Sequence, residues 1–409
     1  ELAYDPAPDY TNEVGDLFYV PGRQVRITAT AADSTFVWSC EGAGCTAEGN
    51  VLMLTTGAEE IKVTCAVRGR WHWDVEGKKI SNGNWTINCS WPETVGESTG
   101  ILLTSVVSGS GGIDLTTFRE DTAGDASAAG KPNYDIVAVR EYFSSTAMTE
   151  FIAPAVLKCG TCSFEQATSL RRVILSPDVR ALNVKFCNSA KALEEFQPTD
   201  MPELETLGGT AFGGCSNLKS DFTMGKVLTF GSNAFRGSAI TSLSAPLAET
   251  VTEGAFVGCN SLTNLYLPRL RNITGASIGD HTDVRTLTID GASITNLGNN
   301  ALYGMKAPLP TDWPNLENLG REAFSQSSIS GDVSLPKVPV LDKAFYQCPS
   351  LTSVYAPSCR LYGNNTFYAS PALTNVTVEG SASLILMDGA SLTIKNVPKE
   401  QSALEISEG

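Results

Sequence analysis

The sequence predicts a mainly β protein, in which a small β-sandwich precedes a solenoid of short parallel strands with a 3₁₀ or irregular convex side. Two observations predict this fold class. Alternating apolar runs separated by turn residues fill the first 95 residues, and one residue pattern recurs along most of the remaining chain. The composition agrees, since 42% hydrophobic and 18% charged residues among 409 are typical of globular domains and exclude wholesale disorder.

Residues 1–95 are predicted to form the sandwich. Runs such as "QVRITATA", "TFVWSC" and "EIKVTCAV" alternate apolar and polar residues and are separated by Gly, Asn and Asp, as strands joined by short turns are. Trp38 lies in the run where immunoglobulin-like domains place a core tryptophan, so this domain resembles the Ig-like sandwiches. The cysteine that those domains usually carry in the second run is absent here.

Residues 96–135 join the two predicted domains. The stretch from 107 to 133 is rich in Gly, Ser and Ala, which favours either a flexible linker or a loop within the N-terminal cap of the solenoid. At the other end of the chain, residues 381–409 lose the repeat pattern. They are predicted to be closing strands, the atypical cap that a solenoid needs.

The repeat covers residues 136–380. A phenylalanine recurs with a period of roughly 22 residues, and a proline precedes it within the same unit in most cases. About eleven units follow one another, two of them degenerate around Ser277 and Leu302, and a period of this length indicates a solenoid. The marker phenylalanines are Phe143, Phe164, Phe186, Phe212, Phe235, Phe256, Phe324, Phe345 and Phe367.

Within a unit, a Leu-x-Leu-Pro stretch is predicted to form a short strand and its end, as in Leu265, Leu267 and Pro268. Alternate residues of a strand turn inward, and the proline ends the strand because it has no N–H for the ladder. One coil cannot bury its own apolar face, whereas stacked coils can, and this explains why the pattern repeats.

Three units show the pattern clearly: "AFGGCSNL", "AFVGCNSLTNLYLP" and "AFYQCPSLTSVYAP", the last of which begins 89 positions after the second. They resemble the BspA-type leucine-rich repeats of bacterial surface proteins. The resemblance implies a leucine-rich repeat solenoid over about residues 136 to 380. It also implies an exported protein at the cell surface or outer membrane, and adhesion to host or matrix proteins, with which members of that family are associated.

The cysteines of the repeats are interpreted as structural. Cys215, Cys259 and Cys348 each lie three residues after a repeat phenylalanine, where other units carry serine. A position that accepts either residue is expected to be small and tight, so we predict free, buried thiols. Coils stack about 4.8 Å apart, so Cys215 and Cys259, two units apart, are too distant for a disulfide.

The other cysteines allow several pairings. The N-terminal domain has Cys40, Cys45, Cys65 and Cys89, which permit three connectivities, and of these we favour Cys40–Cys45 with Cys65–Cys89. The "KCGTC" stretch at 158–162 lacks the second cysteine pair that a zinc site needs. It is interpreted as a local disulfide or as two buried thiols.

The sequence contains no recognisable catalytic site. There are two histidines: His72 is interpreted as a surface strand residue and His281, between Asp280 and Asp283, as part of a solvated loop. HExxH and phosphate-loop motifs are absent from the sequence. We therefore predict no enzyme, no cofactor and no metal.

The charge pattern and the apolar runs exclude two further classes. A formal charge of −15 without a basic stripe makes a nucleic-acid partner unfavourable. The longest apolar stretches, such as "ILLTSVV" at 101, are far shorter than a membrane span.

The middle residue of each Leu-x-Leu is expected to point out from the solenoid sheet. The candidate partner-binding residues there are Tyr266, Tyr355, Asp200, Asp312 and the neighbouring Asn264, because tyrosine is enriched where proteins meet. The alternative is a solvated sheet face without a partner. The whole outward row is Ile152, Ile174, Asp200, Thr223, Ser244, Tyr266, Thr288, Asp312, Ser334, Tyr355 and Thr377.

A second candidate surface is the tryptophan-rich stretch 70–91. If Trp71 and Trp73 share one face of a strand, they form an aromatic platform that could stack on a sugar ring. The alternative is that tryptophans of this stretch fill the sandwich core.

These observations predict non-catalytic binding at the cell surface. The expected partner is a host or matrix protein that contacts the solenoid. The alternatives are a glycan bound by the tryptophans and a purely structural scaffold. The chain starts at Glu1 without a methionine, so we expect an upstream segment, such as a signal peptide, that was removed or not included. The membrane attachment expected for a surface protein of this kind is a lipid anchor upstream of residue 1, as in a bacterial lipoprotein. The sequence leaves the ligand's identity and the oligomeric state open.

Overall fold

The computed structural model describes residues 2–8, 10–11, 17–19, 21–29, 34–41, 45–48, 51–56, 61–131, 134–278, 283–363, 365–379 and 391–395. By its internal contacts the chain divides into two units. Unit 1 comprises Glu1–Asn88, Val107–Gly109 and Thr117–Pro132, and unit 2 comprises Cys89–Val106, Ser110–Thr116 and Asn133–Gly409.

Unit 1 is built from short antiparallel strands. They are β1 (Leu2–Asp5), β2 (Tyr10–Thr11), β3 (Leu17–Phe18), β4 (Gln24–Ala29), β5 (Ser34–Glu41), β6 (Cys45–Glu48), β7 (Val51–Thr55), β8 (Lys62–Gly69), β9 (His72–Asp74), β10 (Lys79–Ser81) and the first residues of β11 (Thr86–Val95). Four of these strands form one sheet in the order β1-β4-β7-β6, and β5 pairs with β8.

The four-stranded sheet buries one face. Val25 and Ile27 of β4 and Leu52 and Leu54 of β7 are alternate residues, so their side chains lie on the same side and form one apolar cluster. Val63 of β8 packs against this cluster, so residues of both sheets contribute to one core, as in a sandwich. The Ig-like assignment stays a prediction, because the side chain of Trp38 lies outside the described residues.

The remainder of unit 1 is a β9–β10 hairpin followed by the start of β11. Trp73 lies opposite Ile80, and Ile80 lies opposite Ile87. The helix α1 (Phe118–Thr122) and a 3₁₀ turn (Ala126–Ala128) belong to the same unit. Within the described ranges, no helix is long and apolar enough to span a membrane.

Unit 2 is the solenoid, and its strands continue in chain order. They are β12 (Ser98–Ser108), β13 (Gly111–Asp114), β14 (Ile136–Val139), β15 (Met148–Ile152), β16 (Lys158–Cys159), β17 (Arg172–Ile174), β18 (Ala181–Leu182), β19 (Glu195–Gln197), β20 (Asp200–Met201), β21 (Thr206–Leu207), β22 (Asp221–Met224), β23 (Thr229–Phe230), β24 (Ser242–Ser244), β25 (Thr250–Val251), β26 (Asn264–Tyr266), β27 (Asn272–Ile273), β28 (Thr286–Thr288), β29 (Asn296–Leu297), β30 (Asn318–Leu319), β31 (Gly331–Ser334), β32 (Val340–Leu341), β33 (Leu351–Ala356), β34 (Leu361–Tyr362), β35 (Asn375–Glu379) and β36 (Ser391–Lys395).

Each coil contributes one strand to each of two parallel rows. The first row runs β13-β15-β17-β19, then β20-β22-β24-β26-β28, then β31-β33-β35-β36. The second row runs β12-β14-β16-β18-β21-β23-β25-β27-β29-β30, followed by the pair β32-β34. This stack of parallel coils with almost no helix confirms the mainly β solenoid that the repeat predicted.

Strand pairing shows that the solenoid begins before residue 136. β12 pairs in parallel with β14, and β13 pairs in parallel with β15. Part of the segment 96–135, which the sequence left open as linker or cap, therefore supplies the first strand of each row. The rest of it, residues 117–132, groups with unit 1.

The repeat phenylalanines form two buried columns, from Phe143 to Phe256 and from Phe324 to Phe367, on either side of the degenerate units around Ser277 and Leu302. Phe235 and Phe256 have ring centroids 5.8 Å apart, and Phe324 and Phe345 have theirs 5.5 Å apart, in nearly parallel planes. Within each column successive rings contact one another, and each fills the space that its own coil could not close alone.

One phenylalanine of the predicted series is out of register. The backbone N–H of Phe212 donates to the carbonyl of Ala234 in the next coil, and in the coil before it the equivalent bond is made by Cys187, which donates to Ala211. Cys187, and not Phe186, therefore occupies the phenylalanine position. The ring of Phe186 is nevertheless fully buried. The one-residue shift is defined by the backbone hydrogen bonds, and the presence of a phenylalanine in the sequence does not reveal it.

The thiols three residues after the phenylalanine position are buried, as predicted. The Cys259 thiol donates to the carbonyl oxygen of Phe235 at 2.9 Å, and the Ser370 hydroxyl makes the same bond to Phe345 at 2.8 Å. The position thus requires a small donor, which explains why Cys and Ser alternate there. Burial raises the pKa of Cys259 to about 11, which keeps it a thiol.

The remaining cysteines have different outcomes. The Cys40–Cys45 disulfide is confirmed. The pairing of Cys65 with Cys89 remains a prediction, because the Cys65 side chain lies outside the described residues. Cys159 and Cys162 are two buried thiols rather than a disulfide.

Successive coils approach most closely at a glycine that follows the second-row strand. A Cβ added to Gly231 would meet backbone atoms of the preceding coil, among them the carbonyl carbon of Gly208 at 2.7 Å. Glycine is required there because any side chain would push the two coils apart.

Candidate binding surface of the solenoid

The outward residues of the first row lie in register, one per coil. Tyr266 is paired with Ser244 on one side and Thr288 on the other, and the same line continues to Thr223 and Asp200. A second line contains Asp312, Ser334, Tyr355 and Thr377. We call these two lines, with the adjacent outward residues of the same strands, the sheet face.

The candidate residues are on the surface where the alternation of the strands placed them. Tyr266 is 45% exposed and Tyr355 is 44% exposed, because inward neighbours such as Leu265 and Val354 take the core side. Asp200, Asp312 and Asn264 are exposed as well. Ile152, at the N-terminal end of the predicted outward row, is buried instead. The role of these residues in binding stays a prediction.

The sheet face carries the same set of polar residues twice, 111 positions apart. The first set is Asp221, Thr241, Ser242, Thr263 and Asn264, and the second is Asp332, Thr352, Ser353, Thr374 and Asn375. We call each set a polar ladder, since its members come from three successive strands of the first row. Register pairs Ser242 with Asn264 and Ser353 with Asn375.

The carboxylate that begins each ladder is bound by hydroxyl groups of the next coil. Asp332 accepts a hydrogen bond from Ser353 at 2.7 Å and from Thr352 at 2.9 Å, and Asp221 accepts one from Thr241. The Ser353 hydroxyl, with that of Thr352, holds the pKa of Asp332 below its usual range. The Thr241 hydroxyl does the same for the pKa of Asp221.

Buried residues of these coils recur 111 positions later as well, since Val227, Ala245, Phe256 and Leu262 return as Val338, Ala356, Phe367 and Leu373. At the paired positions of the three strands of each ladder, however, the identity lies on the outside. The inward residues of the same strands differ, with Phe222, Leu243 and Leu265 in the first set and Val333, Val354 and Val376 in the second. A purely structural constraint acts first on the core, because the gain or loss of even one methylene group there changes the packing. Here five polar residues of the solvent side are repeated, while the outward Ser244 and Tyr266 correspond to Tyr355 and Thr377.

Each ladder has one exposed tyrosine beside it. Tyr266 is two residues after Asn264 on β26, and Tyr355 is two residues after Ser353 on β33. The tyrosine thus stands on the third strand of the first ladder and on the second strand of the other. The surface that results combines carboxylate, hydroxyl and amide groups with one aromatic ring per ladder.

The sequence did not single out the full ladders, although a signal was present. Alignment of the chain with itself, with residue 221 placed on residue 332, would have shown the identical outward residues.

A stacked pair of tyrosines outside the ladders was also missed: the rings of Tyr346 and Tyr368 lie 5.5 Å apart. Both residues directly follow a repeat phenylalanine, in "AFYQC" and "TFYAS".

The exposed aromatic platform predicted from Trp71 and Trp73 must be corrected. Trp71 is 1% exposed and Trp73 is 3% exposed. The ring of Phe118 lies 6.4 Å from that of Trp71, and the Lys131 ammonium lies 5.2 Å from the Trp73 centroid. A distant segment of the chain covers both rings, so they fill the core of unit 1 and cannot stack on a sugar.

The titratable residues form no evident reactive centre in the part of the chain that the structure describes. There, no group of three or more His, Cys, Asp or Glu is arranged to hold a metal ion. His281 and Asp280 lie outside the described residues. Asp283 binds Lys306 at 2.7 Å and Arg285 at 3.0 Å, and the Lys306 bond leads the lowering of its pKa.

Comparison with known proteins gives a family for the repeats. The model of the BspA type leucine rich repeat region matches in six copies, over residues 139–262, 186–308, 229–338 and 306–388, which together exceed half of the chain. No curated protein matches the chain in sequence.

Solved structures with a related outline have low identity. A leucine-rich repeat protein from Bacteroides ovatus is 16% identical, with a TM-score of 0.37, over 76% of this chain and 98% of that one. The pneumococcal vaccine antigen PcpA is 13% identical, with a TM-score of 0.33, over 81% of this chain and 90% of its own. A leucine-rich cell surface protein from Faecalibacterium prausnitzii is 12% identical, with a TM-score of 0.24, over 78% and 95%.

The family model alone decides the assignment, since it matches more than half of the chain. The chain belongs to the BspA-type leucine-rich repeat family.

Proposed function

We propose that this chain is a non-catalytic binding protein that attaches to a protein partner through the sheet face of its solenoid. The repetition of one polar ladder, first within 221–264 and again within 332–375, supports this more than any other observation. Five polar residues of the solvent side are repeated there, while the inward Phe222, Leu243 and Leu265 correspond to valines. This is expected if the surface has a task of its own.

The chemistry of the sheet face suits a protein partner. Tyr266 and Tyr355 offer apolar contact together with a hydroxyl, a combination that is enriched at protein interfaces. Asp200, Asp221 and Asp332 contribute negative charge in a chain of formal charge −15. A partner with basic residues opposite these carboxylates would gain in association rate and in specificity.

We further propose that the protein works outside the cell, at the surface of a bacterium, with a lipid anchor upstream of residue 1. Membership of the BspA-type family supports this location. Host or matrix proteins are then the partners within reach, and these are the class that we propose.

The glycan alternative based on Trp71 and Trp73 loses its support, because both rings are buried. A structural scaffold without a partner is the remaining alternative, and it predicts that substitutions on the sheet face have no effect on attachment.

The experiment is a binding measurement of the chain on immobilised extracellular-matrix proteins. Three forms are compared: the unchanged chain, the double variant Tyr266→Ala with Tyr355→Ala, and a control variant Tyr142→Ala. Tyr142 is 70% exposed and lies on a turn away from the sheet face, so the control removes an exposed tyrosine of the same unit.

We expect the unchanged chain and the control variant to bind a matrix protein. We expect the double variant to bind it more weakly, with an affinity lower by at least about tenfold per tyrosine, as for central interface aromatics. If no matrix protein binds the unchanged chain, or if the double variant binds as well as the control does, the proposal is wrong.

A further inference from the structure

The outer edge of β9 is closed by side chains rather than by a strand. β9 is the last strand of its sheet, and on its inner edge His72 lies opposite Ser81 and Asp74 opposite Lys79. Antiparallel pairing uses alternate residues for each edge, so the N–H groups of residues 71, 73 and 75 point to the outer edge.

Three side-chain oxygens accept these N–H groups in turn. Asp121 accepts that of Trp71 at 3.2 Å, Asp125 that of Trp73 at 2.7 Å, and Ser127 that of Val75 at 2.9 Å. We call residues 117–131 the edge cover. Its acceptors are spaced along the strand as the carbonyl groups of a neighbouring strand would be, yet they belong to a short helix and a 3₁₀ turn.

The cover is held at both ends by contacts with the same strand. Arg70 donates through Nε to the carbonyl oxygen of Asp121 at 2.7 Å. At the other end, Lys131 lies over the ring of Trp73 and donates to the carbonyl of Ser127. Opening of the cover breaks these bonds and the contact of the Phe118 ring with Trp71, and it exposes the rings of Trp71 and Trp73.

A sheet edge whose N–H and C=O groups are released is a template for another strand. A two-fold axis at His72 would place Trp71 opposite Trp73 of a second copy, so that the residues whose N–H groups point outward form the hydrogen-bonded pairs. The same register places Arg70 opposite Asp74 of the second copy. Opposite charges facing each other across strands favour the pairing.

We propose that the outer edge of β9 is a pairing site for the same edge of a second copy of this chain, and that the edge cover keeps it closed. Release of the cover converts a monomer with a capped edge into a symmetric dimer with a continuous sheet. This inference concerns unit 1 only and is independent of the function proposed for the sheet face.

The experiment removes two of the three acceptors in the double variant Asp125→Ala with Ser127→Ala. The matched control is Asp125→Asn, which keeps an oxygen in place. A third form adds Asp74→Lys to the double variant, which sets Lys opposite Arg70 and opposes the pairing. Hydrogen exchange of the Trp73 and Val75 amides reports the cover, and sedimentation velocity over a wide range of concentration reports the dimer.

We expect these amides to exchange roughly tenfold faster in the double variant, since each loses its hydrogen-bond partner. We also expect a concentration-dependent dimer that the control lacks and that Asp74→Lys abolishes. Unchanged exchange would show that these side chains do not hold the cover, and fast exchange in a strict monomer would show that the edge does not pair. Either result overturns the proposal. If the double variant fails to fold by near-ultraviolet circular dichroism, Asp125→Ala alone is measured in the same way.

Discussion

Replacing Gly231 by alanine tests the close approach of successive coils. The added Cβ would meet backbone atoms of Gly208 and Gly209, with the Gly208 carbonyl carbon at 2.7 Å. Ordinary van der Waals contact needs a clearly longer separation, and a backbone, unlike the end of a flexible side chain, cannot turn aside. The coils must separate by the better part of an ångström at this point.

The cost has two parts. Overpacking of a tight site costs about 1–3 kcal/mol. Separation of the coils also lengthens neighbouring bonds between them, such as that from the Thr210 N–H to the Ser232 carbonyl, now 2.9 Å, and a weakened hydrogen bond costs about 1 kcal/mol. We expect the free energy of unfolding to fall by about 2–4 kcal/mol.

Urea unfolding followed by circular dichroism gives this number. Gly237→Ala is the control, because Gly237 has φ +66° and no atom within 4 Å of an added Cβ. That variant carries backbone strain of about 1 kcal/mol without any collision. If Gly231→Ala costs no more than Gly237→Ala, the close approach does not constrain the coil spacing and the reasoning is refuted.

Three further predictions concern buried or bound titratable groups. Cys259→Ser keeps a second donor to the Phe235 carbonyl, beside the Ser238 N–H. It should therefore cost less than Cys259→Val, which removes that hydrogen bond at about 0.5–1.5 kcal/mol; equal losses in urea unfolding would contradict this. Burial raises the pKa of Asp121 above 3.8, so its ionised form weakens the fold at neutral pH. Asp121→Asn, which still offers an oxygen to the Trp71 N–H, should therefore be at least as stable as the parent at pH 7. Any gain in stability should vanish below about pH 4. A melting temperature clearly lower than that of the parent at pH 7 would contradict this. The pKa of Asp332 is lowered by its hydroxyl bonds, so its contribution is present above its unfolded pKa and is lost as pH falls through the folded pKa. Carbon-13 NMR titration of this carboxylate should show the low value, and Ser353→Ala should move it upward; no movement would contradict the assignment.

The architecture of the solenoid was accessible from the sequence because its signals are local and repeated. Each Leu-x-Leu sets an inward and an outward side, and this placed Tyr266 and Tyr355 on the surface without knowledge of their neighbours. The thiol position of Cys259 was predictable for the same reason, since other coils carry serine at the equivalent point.

Features that depend on contacts distant in sequence were not predictable. Trp71 and Trp73 are buried because residues from about 118 to 131 cover them, and a stretch rich in Gly, Ser and Ala gives no sign of such a partner. The register of Cys187 is fixed by its backbone bond to the next coil, whereas the sequence offers Phe186 as the more conspicuous marker. The polar ladders escaped notice because their members are ordinary residues whose only signal is their separation.

The two polar ladders also place equivalent groups of the sheet face at a fixed distance from each other. Five coils separate them, and with strands about 4.8 Å apart the equivalent groups stand about 24 Å from each other. The stacking of the coils sets this distance. A partner that carries one epitope twice at a matching interval would meet both ladders at once, and the second contact would form at the high effective concentration created by the first. A partner with a single epitope, or with a different interval, would gain only one contact. The spacing of a partner's epitopes, rather than its affinity for either ladder, would then decide which partner binds more tightly.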